Sequence, residues 1–179
     1  MSPQQIINFW FVEISPKQWW VEDNELDRRI AEQFGDVHTQ AVQCELYAWR
    51  REPVGRLAEI IVLDQFSRNI YRGTARAFAA DPQALTLAQE AVAAQAATEL
   101  ESQHRAFLYM PYMHSESRQI HEIAVQLFSE EGLRANLDFE LKHKAIIDRF
   151  GRYPHRNKML GRNSTKEEID FLKTPGSSF

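Results

Sequence analysis

"GRLAEIIVLDQFSRNIY", residues 55–71, is the stretch that decides the fold. Its middle, Ile60-Ile61-Val62-Leu63, is apolar nearly all round. A helix of that kind is buried between neighbours instead of lying on a surface. Pro53-Val54 suits its first turn, and Gly73 lets the chain leave it. A buried central helix needs others around it, and the flanking sequence supplies them.

Upstream, Ser2 and Gln5 form a capping box around Pro3, ahead of Ile6, Ile7, Phe9 and Trp10. Ser15-Pro16 punctuates, and Trp19-Trp20 supplies an anchor. Asp23 or Asn24 opens a helix expected to stop at Gly35, with a second helix from Asp36 to Arg50. Downstream, Asp81-Pro82 caps an Ala-rich helix to about Ala97. A segment around 100–109 ends at Pro111, and Ser115 caps a helix ending near Gly132. Another helix runs from about Leu137 to Phe150, closed by Gly151. The last has a capping box at Ser164 and Glu167, followed by the tail "TPGSSF". No strand alternation is present, so the chain reads as one all-α domain over residues 1–179, with seven to nine helices on short loops.

Composition agrees. The chain has 179 residues, of which 44% are hydrophobic, including 11 Phe and 4 Trp. A domain of this size buries roughly 70% of the surface its unfolded chain exposes. The net charge of −4 argues against nucleic acid as a partner. No apolar run approaches ~18 residues, so no membrane span is expected. The first residues lack a basic, long-apolar leader, and cytoplasmic localisation is the expectation. The one cysteine, Cys44, is read as a small semi-buried side chain within a helix.

Several residues break the apolar pattern. Asp64 lies in the stripe Leu57–Ile60–Ile61–Asp64–Arg68–Tyr71, where an unpaired charge would be costly. Arg68, at i+4, is its natural partner. Either the pair is a structural lock, or Asp64 orients Arg68 toward an anion. Asn69, Arg72 and Arg76 follow closely, and the arginines could instead cap the helix end. His114 and Glu116 precede or open the next helix, where amides favour anions. His143, on an apolar face, is read as a core histidine. In "RFGRYPHRNKMLGR", residues 149–162, Arg149 and Arg152 complement a helix end, but His155, Arg156 and Asn157 have no such explanation. There is no P-loop, no dinucleotide fingerprint and no metal-ligand spacing such as HExxH, so neither cofactor nor metal is expected.

"NFWFVEISPKQWW", "LDQFSRNIYRGTARAFAAD", "FLYMPYMHSES", "RFGRYPHRNKMLGRNSTKEE" and the terminal "PGSSF", in that order, resemble bacterial domain-of-unknown-function family number 924 over essentially the whole chain. The resemblance implies a compact, tetratricopeptide-like α-α superhelix and brings no activity with it. Ser67 stands where the family commonly has the proline of "DQFPRN", and Ser117 where an acid often follows "HSE". The functional expectation is a pocket for a small anionic molecule. It is built from Asp64, Arg68, Asn69, Arg72, Arg76, His114, Glu116, His155, Arg156 and Asn157, with His114 or His155 as acid–base groups if the ligand is transformed. The alternative is a scaffold that takes a peptide in a helical groove.

Overall fold

The computed structural model describes residues 1–178, so the terminal phenylalanine of "PGSSF" lies outside the described residues. The fold is all-α, and no strand occurs among those residues. Its helices are α1 (Pro3–Asn8), α2 (Asn24–Val42), α3 (Pro53–Ile61), α4 (Ser67–Ile70), α5 (Asp81–Ala93), α6 (Ser102–Met113), α7 (Arg118–Phe128), α8 (Arg134–Phe150) and α9 (Lys166–Phe171). A π turn, Val62–Phe66, joins α3 to α4 as one rod. None of these helices is long and apolar enough to cross a membrane.

The α3–α4 rod is the axis of the core. Every residue from Leu57 to Ser67 is buried, as an all-round apolar helix requires. α1, α5 and α6 pack on α3, and α2 packs on the π turn and α4. Phe9, Trp10, Phe34, Phe66 and Phe107 interlock around it, with ring centroids 4.6–6.0 Å apart. Glu59 is fully buried in this rod, and Arg50 answers it through two 2.7 Å hydrogen bonds. A π turn widens a helix by one residue and leaves backbone groups to be satisfied. Ser67 does this: its hydroxyl donates to the Leu63 carbonyl. That commits the hydroxyl's hydrogen, so His38 Nε2, 2.8 Å away, donates to the Ser67 oxygen.

Five boundaries differ from expectation. α2 runs through Gly35 to Val42, because Gly35 keeps helical dihedrals while Ile30, Phe34, Val37 and Ala41 share one buried face. The break comes at Cys44, whose φ is +61°, and the thiol is exposed instead of semi-buried. α5 ends at Ala93, short of Ala97, and Asp81 is its first residue, not its cap. α6 continues through Pro111 to Met113, since the whole turn from Ala106 to Met113 is buried and packing outweighs the lost N–H. His114 is therefore the C-cap of α6, and α7 begins only at Arg118. The last capping box is Thr165–Glu168, one residue later than Ser164–Glu167, because the Ser164 hydroxyl accepts from Asn157.

Two glycines separate propensity from packing. A Cβ at Gly35 would meet nothing within 4 Å. Gly35→Ala is expected to stabilise the protein by about 0.5–1 kcal/mol, the usual helical gain. A Cβ at Gly55 would collide with the Trp49 carbonyl. Gly55→Ala is expected to destabilise by about 2–3 kcal/mol, as backbone overpacking does. Urea midpoints of the two variants should move in opposite directions.

Candidate functional site

The end of the central rod, the end of α6, the inner face of α8 and the loop after α8 enclose a cavity of about 510 Å³. Arg68, Asn69 and Arg72 line it from the rod, His114 from α6, His143 and Phe139 from α8, and Tyr153, His155 and Arg156 from the loop. Trp19, Trp20, Phe78, Met110, Met113 and Met159 supply an apolar wall. Three segments that are far apart in sequence thus meet in one chamber.

Beneath the wall lies a network of two carboxylates and two guanidinium groups. Asp64, 1% exposed, lies 2.7 Å from His114 Nδ1 and 3.3 Å from Arg68 Nη1. Burial alone would raise the Asp64 pKa, but Arg68 and His114 outweigh it and hold the carboxylate ionised. Arg68 also grips Asp81 with both Nη atoms, at 3.0 and 3.1 Å. Arg156 reaches the same Asp81 carboxylate at 3.3 Å. Its guanidinium lies between the Phe78 and Tyr153 rings, 4.6 and 4.5 Å from their centroids, where cation–π attraction holds it flat. Arg156 is only 6% exposed, and its Nε has no hydrogen-bond partner among the described residues. Burial, reinforced by Arg68 alongside, pushes its pKa below the ordinary arginine value.

The remaining expected site residues separate cleanly. Arg72 lines the cavity but is answered by Asp27, which also accepts from Asn69 at 2.8 Å. Arg76 stacks on the Tyr71 ring, 3.9 Å from its centroid, and is not on the cavity wall. Glu116 accepts from Arg162 at 2.6 and 2.9 Å and from the Tyr153 amide at 2.7 Å. Asn157 donates to Ser164 and Glu168 and accepts from Arg162. Glu116 and Asn157 thus form a latch behind the cavity, together with the Arg152–Glu168 pair. The basic loop therefore divides: Arg149, Arg152 and Arg162 hold the fold through Glu167, Glu168 and Glu116, whereas His155 and Arg156 face the chamber.

Sequence reasoning missed Asp81, Tyr153 and the methionines; His143 is buried and bonded to the Phe139 carbonyl, as read, and it also lines the cavity. Asp81 read as a helix cap, so nothing pointed to it as the counter-ion of two arginines. The run "YMPYMH" was the one available signal for the sulfur-lined wall.

Burial drives His143 to about 3 and His155 to about 4, from an ordinary value near 6.5. Both are neutral in the folded protein at pH 7. Below pH ~6.5 the unfolded chain takes up protons that the folded protein refuses until about pH 4 or below. Folding stability should therefore fall as pH drops from ~6.5 to 4, by up to about 1.4 kcal/mol per pH unit for each histidine. Urea unfolding at intervals between pH 7 and 4 checks this, and His143→Gln should flatten the slope.

Fold and cavity define an all-helical protein with an Arg–Asp–His network opening on an aromatic and sulfur-lined chamber. The chain belongs to the family described as bacterial protein of unknown function (DUF924), whose model matches residues 6–176. It is similar to the solved structure of a protein of unknown function from Agrobacterium tumefaciens, with 34% identity, 96% of each chain covered and a TM-score of 0.91. No curated protein matches.

Proposed function

We propose that the cavity binds a small molecule carrying a carboxylate or phosphate on an apolar body, within a tetratricopeptide-like superhelix. The supporting observation is the meeting of Arg68, His114, His155 and Arg156 around one chamber of about 510 Å³, a size usual for small-molecule sites. Two guanidinium groups carry ten N–H donors between them, and here they share few acceptors. An anion would meet the Arg68 and Arg156 guanidinium groups that line the chamber while its body packs on the Trp, Phe and Met wall.

Thermal unfolding against small carboxylates, phosphates and nucleotides tests this. A ligand at about 100 times its Kd adds roughly 2.7 kcal/mol, or about 5–11 °C in Tm for this size. Arg156→Met keeps the apolar stem and leaves Asp81 its two bonds to Arg68. That variant should fold and lose the shift. A shift that persists in it, or none from any anion, removes the reading. A peptide is the second occupant, favoured by Trp20 and Phe139, cavity-wall residues that remain 63% and 53% exposed.

A further inference from the structure

The geometry points to hydrolysis: His114, oriented by Asp64, acts as general base for water attacking an ester bond in the anionic ligand, with the Arg68 and Arg156 guanidinium groups together answering the ligand's charge and the oxyanion. This rests on the anion-site reading above.

The dyad comes first. Asp64 is buried and ionised, so its oxygens only accept hydrogen bonds. His114 Nδ1, 2.7 Å from Asp64 Oδ1, must then carry the proton and donate it. In the neutral imidazole that leaves the lone pair on Nε2. His114 lines the cavity, and no described protein group hydrogen-bonds Nε2. Gln65 and Arg68 hold the carboxylate in place, so the ring direction is set from behind.

The wall narrows the chemistry. It contains no serine, threonine or cysteine, so no hydroxyl or thiol of those types offers a covalent route. The Tyr153 hydroxyl donates to the Met113 carbonyl, and burial pushes its pKa upward. Attack therefore falls to water. The water oxygen bonds to the ester carbonyl carbon as one water proton passes to His114 Nε2. The carbonyl π pair moves onto its oxygen, where the paired Arg68 and Arg156 guanidinium groups answer the charge. Collapse breaks the bond to the alkoxy oxygen, which takes the proton from Nε2. The products are a carboxylic acid and an alcohol, His114 returns to its neutral form, and no oxidant or reductant is needed.

The surrounding charges agree with this role. Asp64, Arg68 and Asp81 face His114 from the rod and α5, His143 from α8, and His155 and Arg156 from the following loop. Burial, followed by Arg68, lowers the imidazole pKa against the opposing pull of the carboxylates, which keeps it unprotonated at neutral pH. Such a base suits water adding to a reactive carbonyl.

The test uses 4-nitrophenyl hydrogen glutarate, which joins a carboxylate to an aryl ester, with glutarate as the non-hydrolysable control. The expected result is saturable release of 4-nitrophenolate. His114→Gln should lower kcat about 100-fold or more, and glutarate should raise the Tm of the parent. Asp64→Asn, which alters the tautomer without touching substrate, should lower kcat at unchanged KM and move the acid limb of the pH profile. Diethyl pyrocarbonate on the intact protein provides a measurement independent of any variant: it should modify His114, and glutarate should protect it. Glutarate binding without hydrolysis above background overturns the dyad and leaves the anion site standing. Hydrolysis untouched by His114→Gln also overturns it. Neither binding nor hydrolysis removes both readings together.

Discussion

Glu140→Ala should cost about 3–5 kcal/mol and lower Tm by roughly 6–20 °C, whereas Glu140→Gln should cost about 1 kcal/mol. The difference follows from proton placement. Glu140 and His121 are both fully buried, with His121 Nδ1 2.6 Å from Glu140 Oε1. His121 Nε2 lies 2.8 Å from the Ser115 carbonyl, an acceptor, so Nε2 carries a proton. Burial raises the Glu140 pKa, and the other carboxyl oxygen has no hydrogen-bond partner among the described residues. A glutamine amide can hydrogen-bond Nδ1 and occupy nearly the same volume. Alanine leaves Nδ1 unanswered in a dry site and opens a cavity, and each adds to the cost. Because His121 ties α7 and α8 to the segment just after His114, the alanine variant should also weaken ligand-induced Tm shifts. Urea unfolding of the two variants beside the parent is the check. Equal losses would mean that the pair contributes by volume alone.

The second large effect is expected at Asp81. Its carboxylate is shared by Arg68 and Arg156, so Asp81→Asn leaves two adjacent guanidinium groups with Asp64 as the one remaining carboxylate of the network. A loss of about 3 kcal/mol is expected, as for a largely buried ion pair broken from one side. The double variant Asp81→Asn/Arg156→Met should recover about 1–2 kcal/mol of it, because removing one guanidinium relieves the repulsion. A double variant no better than the sum of the singles would show that the two arginines are not coupled through Asp81. The same cycle separates stability from binding: Asp81→Asn frees Arg156 for an anion, while Arg156→Met removes the anion's partner.

The fold was legible where the signal was local. The Ser2–Gln5 capping box, the αL glycine after Phe150 and the all-round apolar run at 60–63 each depend on residues within two turns of one another. It misled where packing overrode local preference: Gly35 does not stop α2, and Pro111 does not stop α6. Both residues sit beside buried apolar side chains whose contacts outweigh a backbone preference of about 1–3 kcal/mol.

The site was legible as residue types but not as partners. Asp64, Arg68, His114, His155 and Arg156 stood out because charged and imidazole groups interrupted apolar or rigid segments. Glu116, Asn157 and Arg76 stood out for the same reason, yet two of them latch the loop and the third stacks on Tyr71. Nothing in the spacing separates the two sets. Asp81 joins Arg68 and Arg156 across 13 and 75 residues of chain, and His114 finds Asp64 across 50. The all-α class and most apolar helix faces were therefore determined by sequence alone, because they follow from near-neighbour propensity and periodicity. Which arginine meets which carboxylate, and which of them faces the chamber, was decided by tertiary structure. Ion pairing depends on distance and burial in space, and those are properties of the packed helices.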